Sequence, residues 1–581
     1  MTDYFEVHER DGPARLGEIR LDESLTTPCL VGDVLEDYGS LWTGEREMPE
    51  GNPSKISILP HRSMPSGTPE EIVDNLQVSH DKNSDSDLDF PTASVMSVEK
   101  PEATGHDMYI LTGLQDGYAR QIFDRITEAR RTLEPDSALM LPSMATPRNV
   151  SMLSYLGCDA FDDDYAVTKG YGETYMTREL EVPIDKLDEL PCSCPVCLDS
   201  TPDDLSREEI ARHNVNTLRA ELANVRDKIR NGKIREYVEG QSRSARWLVE
   251  AMRLVDQEWD YAEVRTPVAR MSRLESNSSE TIDRVEIQRF ARRVLERYRA
   301  PRTDVAVLLP CSAKKPYSES DSHSDFTDSI RGRAHEVIVT SPLGVVPREL
   351  ELTYPAGHYD TPVTGRWDAK ERDFVSQVFD RYIENNDYHR IVAHLPEEGY
   401  AEIVRSVAEE KDIDVEFTVP EGGHPRDDEA LDALDEALKD EMQASYSRKD
   451  KWFVEGVASY QFGRGVLDGV DLRTEGRIPR LRVFSGGDQI ATLVPQYGLL
   501  SLTLEGVDVF DPFEVEIDEF VPQGSVLAPG IVDADGDIRV GDEVYFEGPE
   551  ARGVGRARMF GEEMVRSTRG VSVDARHVEE K

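Results

Sequence analysis

Cysteine is scarce in this chain, with six in 581 residues, at Cys29, Cys158, Cys192, Cys194, Cys197 and Cys311. Six thiols, half of them in one cluster, cannot staple a chain of this length, which excludes a disulfide scaffold. Long apolar runs are also lacking. None reaches the roughly 20 residues needed to cross a bilayer, and no leader-like segment stands at the start, so the cytoplasm is the expected location. Positive charge is the third deficit: 67 Lys plus Arg stand against 114 Asp plus Glu, a net −47. By itself that balance argues for repulsion from nucleic-acid phosphate.

The acid excess is spread through every region, with aliphatic segments between, so the chain is not a disordered acidic tail. A diffuse excess on a foldable sequence is the pattern of cytosolic proteins from salt-accumulating halophiles, where molar salt screens charge within roughly 3 Å. A haloarchaeal source is therefore expected, and RNA binding must be argued from local patches. At 581 residues the chain exceeds one ordinary core and predicts three or four domains.

The most chemically loaded stretch follows the apolar, β-branched run Val305-Ala306-Val307-Leu308-Leu309 and begins Pro310-Cys311-Ser312-Ala313-Lys314-Lys315-Pro316-Tyr317, continuing to His323. A buried strand that ends in a loop bearing thiol, amine, phenol, hydroxyl and imidazole reads as a site at the carboxyl edge of an α/β sheet. Nearby Lys or His charge lowers a thiol pKa from roughly 8.5 toward neutrality, which makes Cys311 the first candidate nucleophile. The alternative is a structural cysteine at a strand end.

Pro310, Cys311, Lys315, Pro316, Tyr317, Ser320 and His323 stand at the spacing PC-x3-KPY-x2-S-x2-H. This resembles the signature of archaeosine synthase alpha subunits, which act on tRNA carrying 7-cyano-7-deazaguanine in the D-loop and convert its nitrile toward a formamidine. The resemblance implies catalytic roles within Cys311, Lys315, Tyr317, Ser320 and His323. It also implies an amine donor (lysine, glutamine or ammonium) and a radical-SAM partner subunit that cleaves a lysine-derived adduct. The chain has no C-x-x-x-C-x-x-C cluster motif of its own, so that chemistry is expected in trans. A homodimer is left open.

The first half alternates strand and helix signals. Residues 5–19 read as two strands about Gly12-Pro13, 108–111 and 138–141 as strands, and 119–133 and 149–155 as helices. The pattern predicts an α/β barrel or a doubly wound sheet. Residues 79–94, rich in Asp, Ser and Asn, read as a surface loop. A C-x-C-x-x-C knuckle, Cys192, Cys194 and Cys197, precedes a helical stretch bearing His213. Three thiolates and one imidazole complete a tetrahedron, so these four are the expected ligands of a structural Zn²⁺.

Residues 1–265 resemble the catalytic domain of archaeal tRNA-guanine transglycosylase, in the opening FEVHERDGPARLGEI, in Gly157-Cys158-Asp159-Ala160-Phe161-Asp162, and in CSCPVC followed by ARHN. Asp162 falls where that family has its nucleophile. The family's DSG and Gly-Gly-Leu base-pocket motifs have no counterpart, and Ile58-Leu59-Pro60-His61-Arg62-Ser63 stands where DSG is expected. The resemblance therefore implies a zinc-bearing scaffold without base exchange, with Asp162 an ordinary polar residue. Toward the C-terminus, Val526-Leu527-Ala528-Pro529-Gly530-Ile531, Gly541-Asp542-Glu543-Val544 and Gly553-Val554-Gly555-Arg556-Ala557 resemble a PUA domain, an RNA-binding module. Arg552, Arg556, Arg558, Arg566, Arg569 and Arg576 form its locally basic end.

The expected architecture is a multidomain α/β protein. A transglycosylase-like barrel with a zinc site spans 1–265, a central α/β catalytic domain 282–419, a linker and connecting region 420–479, and a C-terminal region with the PUA domain 480–581. In the central domain His358, Asp360 and His394 are secondary candidates. The expected function is amine addition to the nitrile of tRNA-borne deazaguanine. The alternatives are a non-catalytic subunit that presents tRNA to a radical-SAM partner, and an active transglycosylase. The charge makes its own prediction: without molar salt the −47 is unscreened, so circular dichroism should show loss of the cooperative melt at low ionic strength and its recovery in molar KCl. An identical melt in both would reject the halophile reading.

Overall fold

A computed structural model describes residues 4–37, 51–59, 88–97, 103–115, 117–361 and 367–581. Pro60-His61-Arg62-Ser63 and residues 79–87 of the expected surface loop lie outside the described residues. The chain divides into two compact units, Met1–Pro267 with Val526–Arg539 and Met559–Ser572, and Val268–Ser525 with Val540–Arg558 and Val573–Lys581.

The first unit opens with the antiparallel hairpin β1 (Phe5–Asp11) and β2 (Ala14–Ile19), turned at Gly12, whose φ of +64° suits a residue without Cβ. β3 (Leu25–Thr27) pairs with β2. Seven strands then build one sheet: β4 (Cys29–Leu30), β5 (Leu35–Asp37), β6 (Ile56–Ile58), β7 (Thr92–Ser97), β8 (Met108–Thr112), β9 (Ala138–Leu141) and β10 (Ala160–Phe161). Their order is β4-β10-β9-β8-β7-β6-β5, and every pairing is parallel.

The connection between the two edge strands decides between barrel and open sheet. Six spacings of about 4.8 Å would hold the edges of a flat sheet about 29 Å apart. Only residues 31–34 join β4 to β5, and such a link reaches at most about 18 Å. The sheet must curl toward closure, which favours the barrel over the doubly wound alternative. Between β8 and β9, α1 (Ala119–Thr132) buries Ile122, Phe123 and Ile126 at helical spacing. Arg15 of β2 and Arg130 of α1 converge on the buried carboxylate of Asp159, which also accepts from Leu139 N at 2.8 Å. This cluster ties hairpin, helix and sheet together. Later helices include α2 (Arg207–Arg230) and α3 (Trp259–Arg265).

In the second unit a five-stranded sheet holds β11 (Val305–Pro310), β12 (His335–Thr340), β13 (Gly344–Pro347), β14 (Arg390–Ala393) and β15 (Val415–Phe417), in the order β13-β12-β11-β14-β15. Only β13 runs antiparallel. Every residue of β11 is buried, as a continuous apolar run in a central parallel strand requires. From β11 the chain passes through α4 (Asp321–Ile330) to β12 on one side. After α5 (Ala369–Asn386) it enters β14 on the other side and leaves through α6 (Glu402–Lys411) for β15. Connections therefore diverge between β11 and β14, the position at which sheets of this kind form a crevice beyond their carboxyl ends.

Within the stretch 420–479, expected as a linker and connecting region, two helices instead pack into this unit's core. α7 (Asp428–Ala437) buries Leu434, and Leu438 follows it fully buried in the same core as β11 and β14. α8 (Tyr446–Phe462) adds Phe453, Val454 and Val457. A four-stranded antiparallel meander follows: β16 (Leu472–Arg477), β17 (Arg480–Ser485), β18 (Asp488–Val494) and β19 (Leu499–Leu502). The C-terminal strands β20 (Phe513–Ile517), β21 (Glu543–Glu547), β22 (Ala551–Ala557) and β23 (Val571–Glu580) pair in that order, the first pair parallel and the others antiparallel. The helix α9 (Gly561–Arg566) lies in a segment of the first unit. Among the described residues no helix is long and apolar enough to cross a membrane.

Burial of Leu434 makes a prediction that a linker would not. Leu434→Ala should cost about 2–5 kcal/mol in denaturant titration at fixed salt, as expected for a cavity in a packed core. A change within about 0.5 kcal/mol would return the segment to a linker role.

Candidate active site and metal centre

The motif loop leaves β11 at Pro310, at the carboxyl end where the connections diverge. The Cys311 Sγ lies 3.0 Å from the Tyr400 hydroxyl, which comes from the loop after β14. The two groups thus meet where the strand connections diverge. Tyr400 is buried, and the Trp367 ring packs on it with centroids 4.5 Å apart. Lys315 donates to the Ser312 carbonyl and holds its ammonium 4.2 Å from the centre of the Tyr359 ring and 4.9 Å from that of Tyr317. Burial lowers the Lys315 pKa, opposed by negative charge at Cys311 and Asp360.

The remaining motif residues build the frame. Tyr317 is fully buried; its hydroxyl meets Tyr359 Oη at 2.8 Å, which in turn meets Thr340 Oγ1 at 2.8 Å. Ser320 is the N-cap of α4, and its Oγ accepts from His323 N at 3.3 Å. His323 is fully buried and both ring nitrogens are engaged. Nε2 donates to the Pro310 carbonyl at 3.0 Å, and Nδ1 accepts from an Arg348 Nη at 2.8 Å. Burial first, and then the Arg348 charge, push its pKa down to about 2 and hold it neutral. Arg348 also binds Glu336 and Glu351, and Glu351 accepts from Ser318 N at 2.8 Å.

The structure brings all five predicted site residues into one loop and its capping helix, with Cys311 and Lys315 beside the crevice. Tyr400 and Arg348 were not singled out in the sequence. They lie in other segments, and no spacing links them to the motif. Among the secondary candidates, Asp360 is exposed and bound to Arg273 at 2.8 Å. His358 is largely buried, with Nδ1 lacking a hydrogen-bond partner. His394 bridges Thr418 Oγ1 at 2.9 Å and the Pro425 carbonyl at 2.7 Å, and burial lowers its pKa to about 4. It serves as a strut.

In the first unit Cys192, Cys194, Cys197 and His213 place one donor atom each within 4.8 Å of one another, a group able to hold a metal ion. Cys194 Sγ lies 3.6 Å from Cys197 Sγ and 3.6 Å from His213 Nδ1, and Cys197 Sγ lies 3.3 Å from the same nitrogen. A tetrahedral ion with metal–sulfur bonds of about 2.3 Å has donor–donor edges of about 3.8 Å, so the set fits. The His213 Nε2 donates to the Met176 carbonyl at 2.8 Å, which leaves the Nδ1 lone pair facing the sulfurs. Tyr175 stacks on that ring at 3.8 Å and 9°.

Asp162, next after β10, accepts from Ser143 N at 2.8 and 2.9 Å and from Asp164 N at 3.3 Å, and burial lifts its pKa to about 6. The C-terminal arginines are largely occupied. Arg552 pairs with Glu579, Arg558 with Asp574 and Arg576 with Glu543; Arg556 bonds the Gly541 and Ala269 carbonyls, and Arg566 pairs with Glu562.

Family models match four stretches: "Queuine tRNA-ribosyltransferase" over 90–246, "Domain of unknown function (DUF5591)" over 287–438, "Patch-forming domain C2 of tRNA-guanine transglycosylase" over 453–512 and "PUA domain" over 515–578. Curled barrel sheet, thiol crevice, metal knuckle and PUA domain together define a multidomain enzyme of the tRNA-modifying class. Among similar proteins, an archaeosine synthase of Haloferax volcanii is 50% identical over 593 aligned positions covering all of both chains. An archaeosine synthase subunit alpha of Methanosarcina acetivorans is 41% identical, again over all of both chains. A tRNA-guanine(15) transglycosylase of Methanothermobacter thermautotrophicus is 26% identical over 81% of this chain and 71% of its own. The chain belongs to the archaeosine synthase family.

Metal content is directly measurable. Elemental analysis should find about one metal ion per chain, and Cys194→Ala should release it and destabilise the first unit. Freshly purified wild-type protein free of metal would refute the centre.

Proposed function

We propose that this chain converts the nitrile of 7-cyano-7-deazaguanine in the tRNA D-loop into an amidine by amine addition, with Cys311 as covalent nucleophile. The observation that carries the reading is the Cys311 thiol 3.0 Å from the Tyr400 hydroxyl, at the point where the sheet's connections diverge. Attack by Cys311 forms an S–C bond and breaks one π bond of the nitrile, and the proton passes to nitrogen, giving a thioimidate. The Tyr400 hydroxyl, which touches the sulfur, is placed to relay that proton. An amine then adds to the same carbon, and departure of the Cys311 thiol leaves the amidine.

Lys315 supports the reaction electrostatically. Its ammonium, tied to the loop carbonyl and placed over the Tyr317 and Tyr359 rings, holds a positive charge in the motif loop, where it can stabilise charge that develops during the reaction. Tyr317, Ser320 and His323 act through the loop's shape, since their polar atoms are engaged within it. The amine comes from lysine, glutamine or ammonium; for a lysine adduct a radical-SAM partner completes the cleavage. The ion at Cys192, Cys194, Cys197 and His213 is zinc in a structural role, because four protein donors close the tetrahedron and leave no position for substrate. Asp162, its carboxylate held by backbone amides, takes no part in base exchange. The protein works in the cytoplasm, where its tRNA is.

Intact-mass measurement of enzyme with nitrile-bearing tRNA and no amine should show an adduct on wild type and none on Cys311→Ala. Tyr400→Phe should lower turnover by roughly 10²–10⁴-fold, the range for loss of a proton-transfer group, with tRNA affinity unchanged. Near-normal turnover by Cys311→Ala would replace the covalent route by direct amine attack. Product from no amine with wild type would favour a tRNA-presenting subunit instead.

A further inference from the structure

A cavity of about 270 Å³ in the first unit is lined by Arg10, Arg15, Arg130, Arg131, Arg265 and Arg566. Only three carboxylates, Asp260, Glu562 and Glu563, share the lining. On a chain of net −47 this concentration of guanidinium is a local inversion of charge. The walls come from the β1–β2 turn, the end of α1, the helix α3 and the PUA-derived helix α9.

Five of these arginines have anionic partners. Arg10 pairs with Glu563, Arg15 and Arg130 share Asp159, Arg131 pairs with Glu258, and Arg566 with Glu562. Arg566 also donates to the carbonyls of Arg131, Thr132 and Leu133, closing the C-terminal end of α1. Arg265 differs. Among the described residues its one hydrogen bond to the protein runs from Nη1 to the Tyr261 carbonyl at 3.0 Å, and no carboxylate there forms an ion pair with it. Its guanidinium instead rests 4.2 Å from the centre of the Tyr261 ring and 5.5 Å from that of Phe560. The Arg131 guanidinium lies 5.4 Å from the same Tyr261 ring, which is pinned by its hydroxyl bond to the Leu156 carbonyl at 2.7 Å.

Two guanidinium groups are thus held on one fixed ring beside a cavity, and one of them keeps most of its donors for something else. Burial lowers the Arg265 pKa, only partly offset by Tyr261 and the Glu563 charge. Such a preorganised fork favours a tetrahedral oxyanion that can accept several N–H bonds at once. We infer that the cavity at Arg265 and Arg131 is a phosphate-binding site, taking a phosphodiester of the RNA substrate or, by the same chemistry, free inorganic phosphate. The site is independent of the thiol crevice, so it stands or falls apart from the nitrile reaction.

The test uses full-length protein at two or more KCl concentrations, with Arg265→Met, which keeps the apolar stem on Tyr261 and removes the charge. Arg131→Met, at a half-exposed position, is the second variant should the first not fold. tRNA affinity is measured against salt, and inorganic phosphate binding by calorimetry. If the ligand is an RNA phosphate, Arg265→Met should weaken tRNA binding about tenfold and flatten the log–log salt slope by about one. If it is the free anion, the variant should lose calorimetric phosphate binding while tRNA affinity and slope stay at wild type. Wild-type values for both ligands in both variants would overturn the site.

Discussion

The motif loop depends on one buried guanidinium. Arg348, just past β13, binds Glu336 on β12 and Glu351 beyond itself, and points a further N–H at His323 Nδ1. Glu351 takes the amide of Ser318, and His323 passes the constraint on through Nε2 to the carbonyl of Pro310, the residue before the thiol. Four segments are locked by one cation whose donors are matched by acceptors of opposite or neutral character. Removing one partner from such a buried cluster costs about 3–5 kcal/mol, because the others are left charged and dry. The loop that carries Cys311 is therefore rigid on the side facing the sheet. That rigidity lets a thiol and a phenol from distant segments meet at hydrogen-bond distance.

This arrangement divides the labour within the motif. A conspicuous pattern suggests a chemical role for each of its five candidates, yet burial separates them. Cys311 and Lys315 are only partly buried and lie at the crevice, whereas Tyr317, Ser320 and His323 spend their polar atoms inside the loop. His323, the residue type most often assigned proton transfer, is held neutral with Nε2 donating to the Pro310 carbonyl and Nδ1 accepting from Arg348, so both ring nitrogens are tied to the loop's frame. Such a residue keeps its place in the motif for geometric reasons, and spacing alone does not distinguish that from catalysis.

Legibility in the sequence followed the range of the interaction. The central strand, a run of β-branched and aliphatic residues before Pro310, was readable because a strand buried on both faces needs no partner to announce it. The metal knuckle was readable because three of its donors fall within six residues. Tyr400 was not, since its meeting with Cys311 spans 89 residues and depends on which side of β11 the chain returns. Barrel closure was not readable from periodicity, which left a doubly wound sheet equally open, because closure follows from pairing order; the transglycosylase resemblance is what pointed to the barrel. The stretch misread as a linker contained its own correction. Ala430, Leu434 and Leu438 recur every fourth residue, a buried stripe that the surrounding acid concealed.

Salt shapes how such a protein can recognise RNA. A phosphate contact loses about eightfold in affinity per decade of salt, because counterion release becomes less favourable. Most C-terminal arginines here are also committed to carboxylates of their own chain. Long-range attraction therefore contributes little in molar salt, and what remains must act at contact. Stacking does: it contributes about 1–3 kcal/mol per base and involves no counterions. Near Cys311 the half-buried Trp367 packs on the buried Tyr400, so of these rings it is Trp367 that keeps open aromatic surface. Under the proposed reaction a planar base brought to the thiol would have Trp367 to stack on, while the buried Tyr400 and Tyr359 act by holding the motif loop in place.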